Sequence, residues 1–290
     1  MKKLLVLAIA APVLLLAPAF AATKTVDITS KGFSPNKVTI PFGDTVTWTN
    51  KDTTPHQVVA DQGKFVSSPM IAAGQSYSVT FTKSGVFTYH DGVNTRRKGT
   101  VTVKAGVSLT AKPLLVTYAK GTALSGNVST GVAGEIVTVN AQECGKTGFT
   151  KVGTATSVAA GAWTFAAKPT INTIYQADWK NTKSAQLTVK VAPGVTLKRI
   201  RAGRFSATVT ANLSFVGKNV VLQRFVRSRN AWKTVKRVTL RTVKAGTAPT
   251  MITSAGFRAS VARRTRLRLL LTQAQAGTCY APGRSAIVRA

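Results

Sequence analysis

Residues 33–59 read FSPNKVTIPFGDTVTWTNKDTTPHQVV, and this stretch decides the fold class. Its run Val46–Thr49 alternates apolar and polar side chains, which is the pattern of a β-strand with one buried face. Proline, glycine and aspartate precede the run, as turn residues do before a strand. The stretch continues into the phrase W-T-N-x-D-x-x-x-H, from Trp48 to His56. It predicts a β-rich fold.

The same alternation recurs along the rest of the chain, without sustained helical periodicity. Further examples are Tyr77–Phe81, Ile136–Val139 and Phe205–Val209. Short strands at this spacing, with Gly, Asn, Asp and Pro between them, are typical of β-sandwiches and barrels. The sequence therefore predicts an all-β protein.

Two linkers, at residues 104–106 and 191–194, divide the chain after its N-terminal segment into three parts. We call residues 22–105 the first block, residues 106–192 the second block and residues 193–290 the third block. Each block has about the length of one β-sandwich. The prediction is three tandem β-sandwich domains.

Residues 1–21 have the features of a secretory signal peptide. Two lysines precede the apolar stretch Leu4–Leu16, and Ala19-Phe20-Ala21 supplies the small residues of a cleavage site before Ala22. The apolar stretch is shorter than a membrane span, so a retained anchor is the less favoured alternative. We expect the mature protein to be secreted, periplasmic or on the cell surface.

The chain has 40 Lys and Arg, 8 Asp and Glu and 2 His in 290 residues, with a net charge of +32. So few acids and histidines leave little material for acid–base catalysis. The sequence also has no Ser-His-Asp spacing and no phosphate-binding glycine loop. We therefore predict that the protein is not an enzyme.

Residues 33–103 resemble a cupredoxin, the blue-copper β-sandwich of plastocyanin and amicyanin. The resemblance rests on residues 33–59, on GQSY at residues 74–77 and on GVFTYHDGVNTRRKGTVTV at residues 85–103. It implies a cupredoxin-like sandwich in which His56 has the position of a copper ligand.

The family's other copper ligands come from a closing loop of the approximate form Y-x-C-x-x-H-x-x-M-x-G. Tyr89 and Gly99 match the ends of this loop, but Asp91, Asn94 and Arg97 have the positions of the Cys, His and Met ligands. A blue-copper site needs a thiolate with imidazoles, and the first block contains no Cys. We therefore expect no cofactor, with copper at an atypical site as the alternative.

Asp91 has two interpretations. It forms a weak, unselective metal site with His56, or it hydrogen-bonds His56, Asn94 or Arg97 and fills the vacated pocket with a polar cluster. We favour the second interpretation and expect His56 and Asp91 to lie within hydrogen-bonding reach. Because neighbours on a strand point to opposite faces, His90 then points away from the pocket.

Short predicted strands follow one another in a similar order in the second and third blocks, among them TALSGNV (122–128), IYQADW (174–179), SAQLTV (184–189), FSATV (205–209), GFRASV (256–261) and SAIV (285–288). On these strands the two blocks resemble bacterial extracellular immunoglobulin-like (Ig-like) repeats, which act as spacers and adhesive modules. We interpret Trp163, Trp179 and Trp232 as core or cross-strand packing rather than as sugar platforms.

The Ig-like resemblance also bears on the two cysteines, one in each of these blocks. When such sandwiches stack head to tail, the loop after the third strand of one faces the loop before the last strand of the next. Cys144 and Cys279 lie in these two loops. In an oxidising compartment we therefore expect a Cys144–Cys279 disulfide. The alternatives are two unrelated surface thiols or an intermolecular bond.

Charge is concentrated in the third block. The first block has 10 basic and 5 acidic residues, the second 8 and 3, and the third 20 and none. Clustered positive charge attracts anions. We therefore predict docking to an anionic cell-envelope polymer, acidic polysaccharide or extracellular DNA without sequence-specific reading, the alternative being a merely solvated face. Strand alternation over residues 263–271 places Arg264, Arg266 and Arg268 on one face, with Leu267 and Leu269 on the other. The bases proposed for this contact are Arg224, Arg227, Lys233, Lys236, Arg237, Arg264, Arg266 and Arg268.

These features together predict a secreted, non-enzymatic structural or binding protein. A copper-free cupredoxin-like domain is carried on Ig-like spacer modules, and the last module docks to an anionic extracellular surface. The alternative is a copper-binding or electron-transfer cupredoxin with an atypical site.

Overall fold

A computed structural model describes residues 22–290, and nearly all of its regular structure is β-strand. The expected signal peptide, residues 1–21, lies outside the described residues. In the described part, strand pairing is confined to three pairs of sheets that follow one another along the chain. The predicted all-β class with tandem β-sandwiches is confirmed.

The first sandwich is formed by β1 (Thr23–Thr29), β2 (Gly32–Ser34), β3 (Lys37–Ile40), β4 (Thr45–Asn50), β5 (Val58–Ala60), β6 (Ser76–Thr80), β7 (Gly85–Asp91) and β8 (Lys98–Val103). One sheet has the strand order β2-β1-β4-β6 and the other has the order β3-β8-β7-β5. On β4, Val46 and Trp48 are buried while Thr47 and Thr49 lie on the outer face. This is the alternation that the sequence predicts for a half-buried strand.

The second sandwich is formed by β9 (Thr110–Lys112), β10 (Leu115–Thr117), β11 (Thr122–Asn127), β12 (Ile136–Glu143), β13 (Thr150–Thr156), β14 (Ala162–Ala167), β15 (Thr173–Trp179), β16 (Thr182–Lys183) and β17 (Leu187–Ala192). Its two sheets have the orders β14-β11-β9 and β10-β17-β15-β12-β13, and β16 pairs with β15. Trp163 and Trp179 are buried in its core, as interpreted from the sequence.

The third sandwich is formed by β18 (Gly194–Arg201), β19 (Arg204–Ala211), β20 (Asn219–Val226), β21 (Ala231–Thr239), β22 (Thr242–Ala245), β23 (Met251–Arg258), β24 (Arg266–Leu271), β25 (Gly283–Arg284) and β26 (Val288–Arg289). The orders are β18-β19-β23-β22 and β21-β20-β24-β25, and β26 pairs with β24. The one α-helix of residues 22–290, α1 (Gln273–Ala276), follows β24. Within the same residues, no helix is long and apolar enough to span a membrane.

The strand predicted over residues 256–261 is wrong at both ends. The observed strand, β23, starts at Met251 and stops at Arg258, because it pairs along the whole length of β19. The pairing runs from Ala211 opposite Met251 to Arg204 opposite Arg258. Register with the neighbouring strand, which the local sequence does not reveal, sets these ends.

A serine replaces strand pairing at the start of the last strand in both the second and the third block. Ser285 Oγ accepts a hydrogen bond from the Leu269 N–H at 2.8 Å, so the strand predicted over residues 285–288 is interrupted between β25 and β26. Ser184 Oγ accepts from the Ala177 N–H at 2.9 Å in the same way. The strand predicted from residue 184 therefore begins only at residue 187. The two blocks share this local motif.

The second and third blocks share one continuous hydrophobic cluster, whereas the first block has its own. A disulfide joins Cys144 to Cys279 across the junction, the pair expected from the sequence. Beside it, the Asn172 N–H donates to the carbonyl of Cys279 at 3.0 Å, and the Ala281 N–H donates to the carbonyl of Val191 at 2.8 Å. The two sandwiches are therefore held together by packing, hydrogen bonds and a covalent bond.

Replacing both cysteines, as Cys144→Ser with Cys279→Ser, is expected to destabilise the second and third blocks. The bridge closes a loop with a sequence separation of 135 residues, for which the chain-entropy model gives up to about 5 kcal/mol. Urea unfolding of the full chain measures the loss, and the native protein under reductant is the control. An unchanged unfolding midpoint in the double variant would contradict a stabilising role of the bridge.

Candidate functional site

Asn50 holds the loop that carries Asp52 and His56. It lies at the end of β4 and is fully buried. Its side-chain amide donates to the carbonyls of Thr54 at 2.8 Å and Ile71 at 2.9 Å. Its Oδ1 accepts from the Asp52 N–H at 2.9 Å. The Asn of the W-T-N-x-D phrase is thus the support of the site.

His56 lies between two carboxylates and is only 2% exposed. Its Nδ1 is 2.8 Å from Oδ2 of Asp91, and its Nε2 is 3.0 Å from Oδ2 of Asp52. Both contacts are hydrogen bonds when both ring nitrogens carry protons, since a carboxylate only accepts. The predicted proximity of His56 and Asp91 is confirmed, whereas the contact with Asp52 is not foreseen in the sequence.

Asp91 is the centre of the cluster and is 0% exposed. Besides His56, its Oδ2 faces Nη1 of Arg97 at 3.4 Å, and its Oδ1 accepts from the Val93 N–H at 3.0 Å. The second guanidinium nitrogen of Arg97 donates to the carbonyl of Ser30. With a protonated imidazole, two carboxylates face two cationic groups, and the buried charge is balanced.

Asp91 contacts His56 and Arg97, two of the three partners considered for it, whereas the side chain of Asn94 does not join this cluster. Its side chain is exposed and its Oδ1 accepts from the Arg96 N–H at 3.1 Å, which is the local turn contact that Asn commonly makes. His90 points to the other face of β7, as expected, and its Nδ1 is 2.7 Å from Oδ1 of Asp61.

Two carboxyl groups near these histidines have lowered pKa values. The hydrogen bond from His56 is the main reason why the pKa of Asp52 lies below its usual 3.8. The pKa of Asp61 is lowered first by the Thr88 hydroxyl and then by His90. Both carboxyl groups therefore stay ionised to lower pH than free aspartate does.

Tyr89 and Gly99, which match the ends of the family's loop, are packing residues. Burial raises the pKa of Tyr89 to about 12, and its ring packs edge-on against Trp48 at a centroid distance of 5.3 Å. A Cβ on Gly99 would lie 2.2 Å from Cζ of Tyr89, so only glycine fits beneath this ring. These positions preserve the sandwich and not the ligands.

The side chains in this pocket do not fit a blue-copper ion, which needs a thiolate with imidazoles. Both cysteines of the chain form the disulfide in the other two blocks. Both nitrogens of His56 face carboxylates. The methionine of the first block, Met70, is 55% exposed, so its thioether is not buried as a ligand. Within residues 22–290, no cluster of three or more His, Cys, Asp and Glu side chains is arranged to hold a metal ion.

The eight bases predicted to contact a polyanion do not form a single surface. Arg237, Arg266 and Arg268 lie on the outer face of the sheet β21-β20-β24. Arg237 is opposite the outward-facing Val221, and the other two arginines alternate with the buried leucines of β24. The remaining five lie elsewhere. Lys236 pairs with the inward-facing Leu222, and Arg224 and Lys233 lie on the same inner face, beyond the end of the core. Arg227 belongs to a short 3-10 helix and Arg264 to a turn.

Arg264 was predicted on one strand face with Arg266 and Arg268, and this is wrong. Its φ of 64° places it in the left-handed region before β24 begins, so strand alternation does not apply to it. Arg284 and Arg289 are not among the predicted bases, although they lie close to Arg266 and Arg268 in the same sheet. They lie on strands that pair with β24, with Arg284 opposite Leu270 and Arg289 opposite Arg266.

Comparisons with known proteins concern the first block. A family profile described as a cupredoxin-like domain matches residues 4–103. Over 86 residues the chain is 36% identical to a plastocyanin of Scenedesmus fuscus, and the match covers 86% of that protein. The chain belongs to the cupredoxin-like family. The same match covers 25% of the present cupredoxin-like chain.

Two further relatives give the same picture. The chain is 34% identical over 83 residues to the amicyanin of Paracoccus denitrificans, and it spans only 63% of that protein's length. The solved structure of a purple cupredoxin from Nitrosopumilus maritimus is 30% identical, with a TM-score of 0.26. That match covers 98% of the purple cupredoxin and 28% of the present chain. The family profile places the kinship of this cupredoxin-like protein within residues 4–103.

The variant His56→Ala is expected to destabilise the first block by about 3 kcal/mol, in the range for removing one partner of a buried ion pair. The variant leaves the Asp91 carboxylate with Arg97 as its one charged partner. The matched control is His90→Ala, whose pair with Asp61 is more exposed and should be worth less than about 1 kcal/mol. Hydrogen–deuterium exchange of first-block peptides in the full chain measures both, and equal effects would contradict the central role of His56.

Proposed function

We propose that this cupredoxin-like protein is a non-enzymatic structural or binding protein that acts outside the cytoplasm. Its first domain functions without a blue-copper centre, and its third block docks to an anionic extracellular surface. The single observation that carries the proposal is that both ring nitrogens of His56 contact carboxylates. The one retained family ligand is thereby committed to a hydrogen-bonded cluster.

The residues at the family's ligand positions support a first domain without blue copper. Asp91 has the position of the Cys ligand and bonds Nδ1 of His56, while Arg97 has the position of the Met ligand. A cation entering here would displace the Asp91 contact and lie close to the Arg97 guanidinium. Two like unit charges about 4 Å apart repel by about 4 kcal/mol at an effective dielectric constant near 20. The cluster therefore disfavours a metal ion.

The second and third blocks serve as a rigid pair of Ig-like spacers in this proposal. The serine contact that interrupts the last strand occurs in both blocks, which supports their being related modules. The shared hydrophobic cluster and the disulfide support a fixed angle between them. A rigid pair of this kind holds the third block at a distance from the first.

Uncompensated charge supports docking by the third block. The block has 20 basic residues and no acidic one. In the described part of the chain, all six ion pairs lie between residues 52 and 183. The third-block bases thus have no carboxylate partner, and such charge accumulates anions from solution.

Copper titration of the mature protein tests the metal-free first domain. We expect no intense thiolate-to-copper charge-transfer band, because no cysteine lies in the first block. Any weak copper affinity should not change in His56→Ala, with His90→Ala as the matched control. An intense visible band, or affinity lost in His56→Ala alone, would establish the copper-binding alternative.

Retention on an anionic matrix tests docking. It should fall steeply with salt, because ion release drives such binding. Replacing the eight predicted bases of the third block by Gln should weaken retention strongly. The matched control replaces the eight exposed lysines of the second block, which removes the same charge. Equal weakening would mean that net charge alone drives retention, and that the third block has no docking role.

A further inference from the structure

One sheet face of the third block combines aromatic rings with arginines. On β24, Leu267, Leu269 and Leu271 are buried, so Arg266 and Arg268 point outward. The register places Gln223 of β20 opposite Arg268, and Phe225 opposite Trp232 of β21. We call the outer face formed by Gln223, Phe225, Trp232, Arg266 and Arg268 the arginine face.

Arg268 is held in place on this face. Its guanidinium carbon lies 4.0 Å from the centre of the Trp232 ring, and its Nε donates to Oε1 of Gln223 at 2.9 Å. A cation–π contact and a hydrogen bond thus fix the side chain. The two terminal nitrogens have no carboxylate partner, and they form the fork that binds planar oxyanions with two parallel hydrogen bonds.

Arg266, two residues before Arg268 on the same strand face, makes a similar contact with an aromatic ring. Its guanidinium carbon lies 5.0 Å from the centre of the Phe225 ring, and this ring packs against Trp232 at a centroid distance of 5.4 Å. Alternate residues on a strand lie about 7 Å apart. The two guanidinium groups therefore form a short row on an aromatic base.

Three more arginines border the arginine face. Arg284 and Arg289 lie on strands paired with β24, and Arg237 lies on β21. Burial and the nearby Arg284 both lower the pKa of Arg268, burial being the larger cause. Repulsion among these groups is relieved by a ligand that brings several negative charges in sequence.

We propose that the arginine face binds a carboxylate-bearing polysaccharide, such as a polyuronate. This inference rests on the proposed docking function and names its site and ligand class. The carboxylates pair with the forks of Arg266 and Arg268. Half-buried apolar side chains of the same face, Val221 and Leu270, offer contact area to the C–H faces of sugar rings.

The same face suits two other polyanions less well. Single-stranded nucleic acid binds by stacking bases on free aromatic rings, but Trp232 and Phe225 are already covered by guanidinium groups. Inorganic polyphosphate has no apolar groups, so it would leave the apolar area of the face unused. A polymer that alternates carboxylates with sugar rings matches both features.

Binding of polygalacturonate to the full mature chain tests the site. Arg266→Gln with Arg268→Gln should weaken binding at least tenfold, because two charge-assisted contacts are lost. The matched control, Arg199→Gln with Arg201→Gln, removes the same charge from exposed positions on the other sheet of the third block and should change binding less than about threefold. Trp232→Leu keeps every charge but frees Arg268, and it should weaken binding several-fold. Circular dichroism and unfolding curves confirm that each variant folds.

The outcomes separate the site from the docking function. The arginine face would be overturned, with docking left intact, if the Arg266/Arg268 double variant and its control weakened binding equally. The same holds if a folded Trp232→Leu variant did not weaken binding. Tighter binding of polyphosphate or single-stranded DNA of equal charge would overturn the assignment of a polyuronate. If even replacement of all eight predicted bases leaves retention unchanged, the docking function itself fails.

Discussion

The first domain is organised around one buried negative charge. A carboxylate as deeply buried as that of Asp91 costs several kcal/mol unless donors and positive charge surround it, and here His56, Arg97 and backbone N–H groups do so. His56 in turn needs a second acceptor for its other nitrogen, which Asp52 supplies. Asn50 then fixes the loop that carries both residues. Each of these residues satisfies a hydrogen-bonding group of its neighbour, and together they fix the shape of the pocket.

The third block poses the opposite problem, since it carries many positive charges and no negative one. Self-repulsion of this kind destabilises a compact state. The block shares its hydrophobic cluster with the second block and is bridged to it by Cys144–Cys279. Its edge strand β21 also carries Lys233, Lys236 and Arg237, charges that discourage pairing with another chain. The junction therefore offsets a cost that a free-standing module of this composition would bear alone.

The local sequence pattern predicts the features that depend on strand alternation. It fails where contacts with residues distant in the sequence determine the structure. Strand alternation predicts the buried leucines and outward arginines of β24, and it predicts that His90 faces away from Asp91. The contact of His56 with Asp91 follows instead from the ligand positions that the cupredoxin resemblance assigns to them. The ends of β23 depend on its register with β19, and the break at Ser285 depends on a hydroxyl that takes the place of a strand partner. Asn94 leaves the cluster because a turn contact with its neighbour is available. The second partner of His56, Asp52, shows only once the loop is folded.

The cations of this protein differ in how firmly they are held, and this matters more than their number. Most lysines and arginines of the third block are exposed, so an anion must order their side chains before it gains from contact with them. Arg268 is already ordered by Trp232 and Gln223, and Arg266 rests on Phe225. Anion binding at these two arginines therefore costs less side-chain conformational entropy than binding at two cations that are not held in place. In the proposed docking, net charge would attract a polyanion to the third block, and the two pre-ordered arginines would form its preferred binding site.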